Sequence, residues 1–115
     1  MTDERAQRIA ENESRFRSIN DRMRADLETV AEEGEPLDFV CECGNDACRE
    51  SVPLSVGEYE AVRVDARRFA IVPGHEIPDV ETVVETHDGR YAVIEKDPRA
   101  DPIVKATDPR ADEMR

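Results

Sequence analysis

The 115-residue chain has no tryptophan, and three phenylalanines and two tyrosines make up its whole aromatic content. A chain this short buries apolar surface only moderately well, and without large rings each core position contributes less, so a staple is expected to help hold the fold. Lysine is scarce as well. Arginine and lysine together number 16 against 28 acidic residues, for a net charge of −12. Phosphate backbones and anionic membrane surfaces both demand a basic footprint, and no segment of this chain is basic, which argues against direct nucleic-acid binding and against membrane binding. No window approaches the roughly 20 apolar residues of a membrane span, and no apolar stretch follows Met1, so a cytoplasmic protein is expected. Only three cysteines occur. An odd number in a reducing compartment argues against a disulfide framework and leaves metal ligation or free thiols.

What is present reads as an α+β fold in three parts. Residues 3–33 lack glycine and proline and place Ile9, Phe16, Ile19, Met23, Leu27 and Val30 along one side, the pattern of a long amphipathic helix that Gly34 and Pro36 end. With its linker this helix occupies residues 1–36. A helix of about 30 residues is roughly 45 Å long, more than the roughly 30 Å of a domain built from the next 60 residues. Its C-terminal half, Ile19 to Val30, is therefore expected to pack on that domain while the N-terminal half projects to pair with a second copy or a protein partner.

Residues 37–96 carry the signals of a small antiparallel sheet with one short helix. "LDFVCEC" alternates like a strand, "SVGE" at Ser55–Glu58 is a capping box that opens the helix, and "RFAIV" is a strand stopped by the turn "PGHE". "VETVVET" and "RYAVIEK" flank Asp88-Gly89, a strong hairpin signal. Residues 97–115, with three Asp-Pro steps and a duplicated "DPRAD", read as a disordered tail.

Cys41, Cys43 and Cys48 crowd one turn as C-x-C-x4-C. Zinc in structural sites takes four tetrahedral thiolate or imidazole ligands, and His75 and His87 are the two imidazoles available. His75 follows Pro73-Gly74 at the end of a strand, where a tight turn can aim it inward, whereas His87 stands beside the hairpin turn. Gly44 and Asn45 tolerate the bend that would bring the cysteines to one ion. Other readings of the cysteines are small buried hydrophobes, a redox pair built on Cys43, or an iron–sulfur cluster. The acidic neighbours Glu42, Asp46 and Glu50 do not favour a reactive thiolate.

The C-x-C-G-x3-C turn, "EYEAVR", "RFAIVPGHE" and "YAVIEK", spread over residues 39–96, resemble a group of small uncharacterised actinobacterial proteins. The resemblance implies one compact unit with ligand roles on Cys41, Cys43, Cys48 and His75, and it implies no activity. With no catalytic constellation evident, the expected function is that of a non-catalytic, zinc-stabilised protein-interaction module. A transcription-associated regulator acting through protein contacts and a cysteine-based redox protein are the alternatives.

Overall fold

The computed structural model describes residues 3–27 and 32–97. The chain runs α1 (Asp3–Leu27), β1 (Leu37–Val40), β2 (Ser51–Leu54), α2 (Val56–Val62), β3 (Arg68–Ile71), β4 (Glu81–His87) and β5 (Tyr91–Lys96). The predicted helix to residue 33 is observed to Leu27; residues 28–31 lie outside the described part, and Gly34, at φ 79, sits in the turn that follows. The predicted tail lies outside the described residues from position 98 onward, while Asp97 still donates its N–H to the Val80 carbonyl.

The strands divide into two antiparallel sheets. β1 and β2 form one, with Leu37 opposite Leu54 and Phe39 opposite Val52. The other has the order β3-β5-β4. Asp88 (φ 52) and Gly89 (φ 72) supply the two positive φ values a tight two-residue hairpin turn needs, and Arg90 N–H closes that turn on the His87 carbonyl. α2 begins as its capping box requires: Ser55 Oγ accepts from Glu58 N–H at 3.1 Å, and Glu58 Oε1 accepts from Ser55 N–H at 2.9 Å.

Both faces of β3 and β5 are buried, and period-2 alternation sorts their side chains between two core clusters. Phe69, Ile71, Ala92 and Ile94 pack with the three cysteines and Ala10 of α1. Ala70, Tyr91 and Val93 pack with Phe39, Val52 and Leu54 of the first sheet and with Tyr59 and Val62 of α2. Phe39 stacks on Tyr59 with ring centroids 4.5 Å apart. Three of the five aromatic residues, Phe39, Tyr59 and Tyr91, thus meet in the cluster between the two sheets.

α1 departs from its predicted placement. Its N-terminal half does not project: Ile9, Ala10, Glu13, Phe16 and Arg17 are buried, while Ile19, expected at the interface, is 47% exposed. The prediction followed the apolar residues alone, but the buried face is largely polar. Glu13 Oε1 meets Lys96 Nζ at 2.7 Å, Arg17 donates to the Ala66 carbonyl and lies over the Phe69 ring, and Asp21 takes a two-pronged contact from Arg63, its shortest bond 2.8 Å. Asn20 bonds both backbone groups of Val40, donating to its carbonyl at 2.7 Å and accepting from its N–H at 2.8 Å. The side chain thereby completes the hydrogen bonding of a strand end that no third strand covers.

Candidate metal centre

The hairpin loop between β1 and β2 carries all three cysteines, and the turn after β3 carries His75. Cys41 follows β1 directly and is held to the loop's far side by its N–H to the Glu50 carbonyl at 3.0 Å. Asn45 then folds the chain back. Its side-chain oxygen accepts from Ala47 N–H at 3.0 Å, and its carbonyl accepts from Cys48 N–H at 3.0 Å, so Cys48 returns toward the other two cysteines. On the other sheet, Gly74 at φ 95 and the bond from His75 N–H to the Val72 carbonyl turn His75 back toward the loop.

The result is a Cys3His cluster that could hold a metal ion. The ligand atoms of Cys41, Cys43, Cys48 and His75 all lie within 4.8 Å of one another. His75 presents Nδ1 to the sulfurs, 3.6 Å from Cys41 Sγ and 3.8 Å from Cys48 Sγ, and its Nε2 is 2.9 Å from Glu50 Oε2. A carboxylate on the far nitrogen fixes the imidazole's orientation and leaves the near nitrogen as the ligand atom, the arrangement common to metal-bound histidines. The Val72 N–H, 3.2 Å from Cys41 Sγ, supplies a donor to one sulfur. His87 lies outside the cluster: it stacks on Tyr91 with centroids 4.4 Å apart and bonds Glu85 through Nε2.

The thiols already behave as one unit. A hydrogen bond from Cys41 holds the Cys43 thiol down at about 5, and the same bond, followed by burial, pushes Cys41 well above the usual thiol range. Burial pushes Cys48 up. An incoming cation would displace the thiol protons of the cluster.

Several residues that shape the site went unread in the sequence. Glu42, between two ligands, is fully buried. Its carboxylate accepts from Tyr59 Oη at 2.7 Å, Asn20 Nδ2 at 2.9 Å and Ala70 N–H at 3.0 Å, and its own N–H donates to the Ala70 carbonyl at 2.8 Å. It ties the loop to α1, α2 and β3 at once. Burial pushes its carboxyl up, and the three donors oppose that shift. Asn12, which interrupts the helix's apolar stripe, donates to the Gly44 carbonyl at 3.1 Å. Gly44 is needed for space, since its φ is not left-handed and a Cβ there would stand 2.5 Å from Ile9 Cγ2 and 3.0 Å from Ile77 Cδ1. Glu50 followed the last cysteine by two positions, and only the position of His75 gives it meaning.

No helix among the described residues is long and apolar enough to cross a membrane. No protein family, curated protein or solved structure matches the chain.

Proposed function

We propose that this is a non-catalytic, zinc-stabilised protein that serves as an interaction module. The observation that carries the reading is the closed donor set: three cysteines and His75 Nδ1 within 4.8 Å, with the other face of His75 held by Glu50. Three thiolates and an imidazole suit zinc, and a site whose four tetrahedral positions all come from the protein leaves none for a water or a substrate. The ligands come from both sheets, so an ion there would join the loop after β1 to the turn after β3, which answers the shortage of large aromatic residues.

The module reading rests on surface left uncovered among the described residues. With Ile9 and Phe16 buried, the part of α1 assigned to a partner or a second copy is its exposed surface around Ile19. Metal analysis of protein purified without chelator tests the first part: close to one zinc per chain is expected, and no metal, or iron in its place, would overturn it. Light scattering tests self-association. A mass that doubles with concentration in the native chain and stays monomeric in Ile19→Asp would place a second copy on that face.

A further inference from the structure

The cysteine loop changes character partway along. Residues 41–44 are all buried, whereas Asn45, Asp46, Ala47, Arg49 and Glu50 are exposed, so Cys41 and Cys43 lie in the enclosed part and Cys48 in the open part. Their own exposures follow: 0% for Cys41, 1% for Cys43 and 7% for Cys48. Cys48 also lines a groove of about 340 Å³ between α1 and the loop, together with Phe16, Ile19 and Val40. We infer that this groove is the exchange port of the metal centre and Cys48 its labile ligand, the position at which the thiol of a metal donor or acceptor takes over the ion. The inference rests on the zinc reading and describes how that site is filled and emptied.

The other three ligands are anchored more widely. Cys41 and Cys43 flank Glu42, whose buried carboxylate accepts from Tyr59, Asn20 and Ala70, and Gly44 beside Cys43 stands where an added Cβ would meet Ile9 and Ile77. Cys41 Sγ has the Val72 N–H as well. His75 is partly exposed, but its Nδ1 faces the sulfurs and Glu50 holds its Nε2 at 2.9 Å. Among the described residues, the hydrogen bonds that hold the Cys48 backbone stay within its own turn: its N–H bonds the Asn45 carbonyl, and its carbonyl accepts from the Arg49 side chain. Residues 45–49 can therefore move with Cys48 while residues 41–44 stay fixed. Zinc held by soft thiolates exchanges when one soft ligand replaces another. The incoming thiol's sulfur joins the ion, Cys48 leaves it and takes the proton, and nothing is oxidised or reduced. Two arginines and two carboxylates line the groove, so its charge selects neither sign, and what distinguishes it is the ligand thiol in its wall.

The test uses the zinc-loaded full-length chain, with its metal content measured first. All three sulfurs then carry the same ion, so the first one alkylated by a substoichiometric amount of N-ethylmaleimide reports access. Cleavage before Asp46 puts Cys48 on a different peptide from Cys41 and Cys43, and the label is expected mostly on Cys48. In parallel, zinc transfer to a chromophoric chelator is timed with reduced glutathione as the incoming thiol. Ile19→Trp, which sets a large ring at the groove from an exposed position, should slow the glutathione-driven transfer about tenfold, the factor that about 1.4 kcal/mol of added barrier gives. Val64→Trp, at a position 85% exposed in the turn after α2, should leave it unchanged. Both variants should melt within a few degrees of wild type. First labelling at Cys41 or Cys43, an even spread over the three, transfer indifferent to glutathione, or equal rates in Ile19→Trp and Val64→Trp would overturn the proposal. A chain that holds no zinc, even with one equivalent supplied, would sink the zinc reading and the port with it; a loaded chain giving any of the results above would sink the port alone.

Discussion

Lys96→Met is the most revealing single perturbation of the fold, because Lys96 lies between two carboxylates in a place where none of the three side chains reaches solvent. Its Nζ is 2.7 Å from Glu13 Oε1 and 3.2 Å from Glu81 Oε2, and all three side chains are fully buried. Burial, then the hydrogen bond with Glu81, raises the Glu13 carboxyl well above its ordinary value. Lys96 is the cation set against both carboxyl groups. Methionine preserves the volume and removes the cation, leaving a buried charge uncompensated. Breaking buried charge clusters in this way costs about 3–5 kcal/mol. For a domain of this size about 4–8 °C of melting temperature goes with each kcal/mol, so a fall of roughly 12 °C or more is expected. Glu13→Gln is the control, since an amide can donate to Glu81 and offer its carbonyl to Lys96; it should cost no more than about 1 kcal/mol. The pH dependence separates the two carboxyl states. With its folded value raised above 4.5, Glu13 contributes stability that is fully present below the unfolded value and is lost as pH rises toward the folded one. Glu13→Gln lacks that loss, so its stability relative to wild type should improve as pH rises above 4.5. Urea unfolding of the three proteins across that range is the assay. A Lys96→Met protein that melts within a few degrees of wild type, or a Glu13→Gln protein as damaged as Lys96→Met, would refute the reading of Lys96 as the buried counter-charge.

Three other outcomes follow from the site. Cys48→Ser should lower the melting temperature far more than His87→Ala, because Cys48 belongs to the cluster and His87 stacks outside it; equal effects in thermal scans would reopen the ligand set. Glu42→Gln should cost about 2 kcal/mol or more in denaturant titration, since the amide cannot accept at once from Tyr59, Asn20 and Ala70, and a neutral result would deny Glu42 its place as the anchor of the loop. Gly44→Ala should destabilise by about 1–3 kcal/mol through contact with Ile9 Cγ2, and Gly44→Ala combined with Ile9→Ala should cost less than the sum of the two single changes if sterics are the cause.

Local chemistry was legible in the sequence and long-range polar pairing was not. Ser55 and Glu58 announced α2 because a capping box is completed within one turn, and Asp88-Gly89 announced the last hairpin for the same reason. The Cys3His set could be read because three ligands share a turn and only two histidines were available for the fourth place. α1 was misplaced because an apolar stripe was taken as the docking face, whereas Glu13, Arg17, Asn20 and Asp21 find their partners at Lys96, Ala66, Val40 and Arg63. Such partners are 20 to 83 positions away by residue number, and a charged residue on a helix carries no mark of whether it meets water or a buried counter-charge. Glu42 was unreadable for a related reason: alternation assigns it a face but cannot say that this face is enclosed by Tyr59 and Asn20.

The spacing of the cluster along the chain also has a kinetic side. Cys41, Cys43 and Cys48 can meet by closing a loop of eight residues, a search that takes on the order of 10–100 ns for loops near ten residues, before either sheet is complete. His75 stands 27 residues beyond Cys48, with α2 and β3 between them in the chain. A chain emerging from the ribosome would thus expose three thiols first and its imidazole last. Early capture of an ion by the thiols would leave one coordination position open until β3 found its partner β5, which follows His75 in the chain, and for that interval the ion could exchange with a metal carrier; arrival of His75 would end exchange at that position.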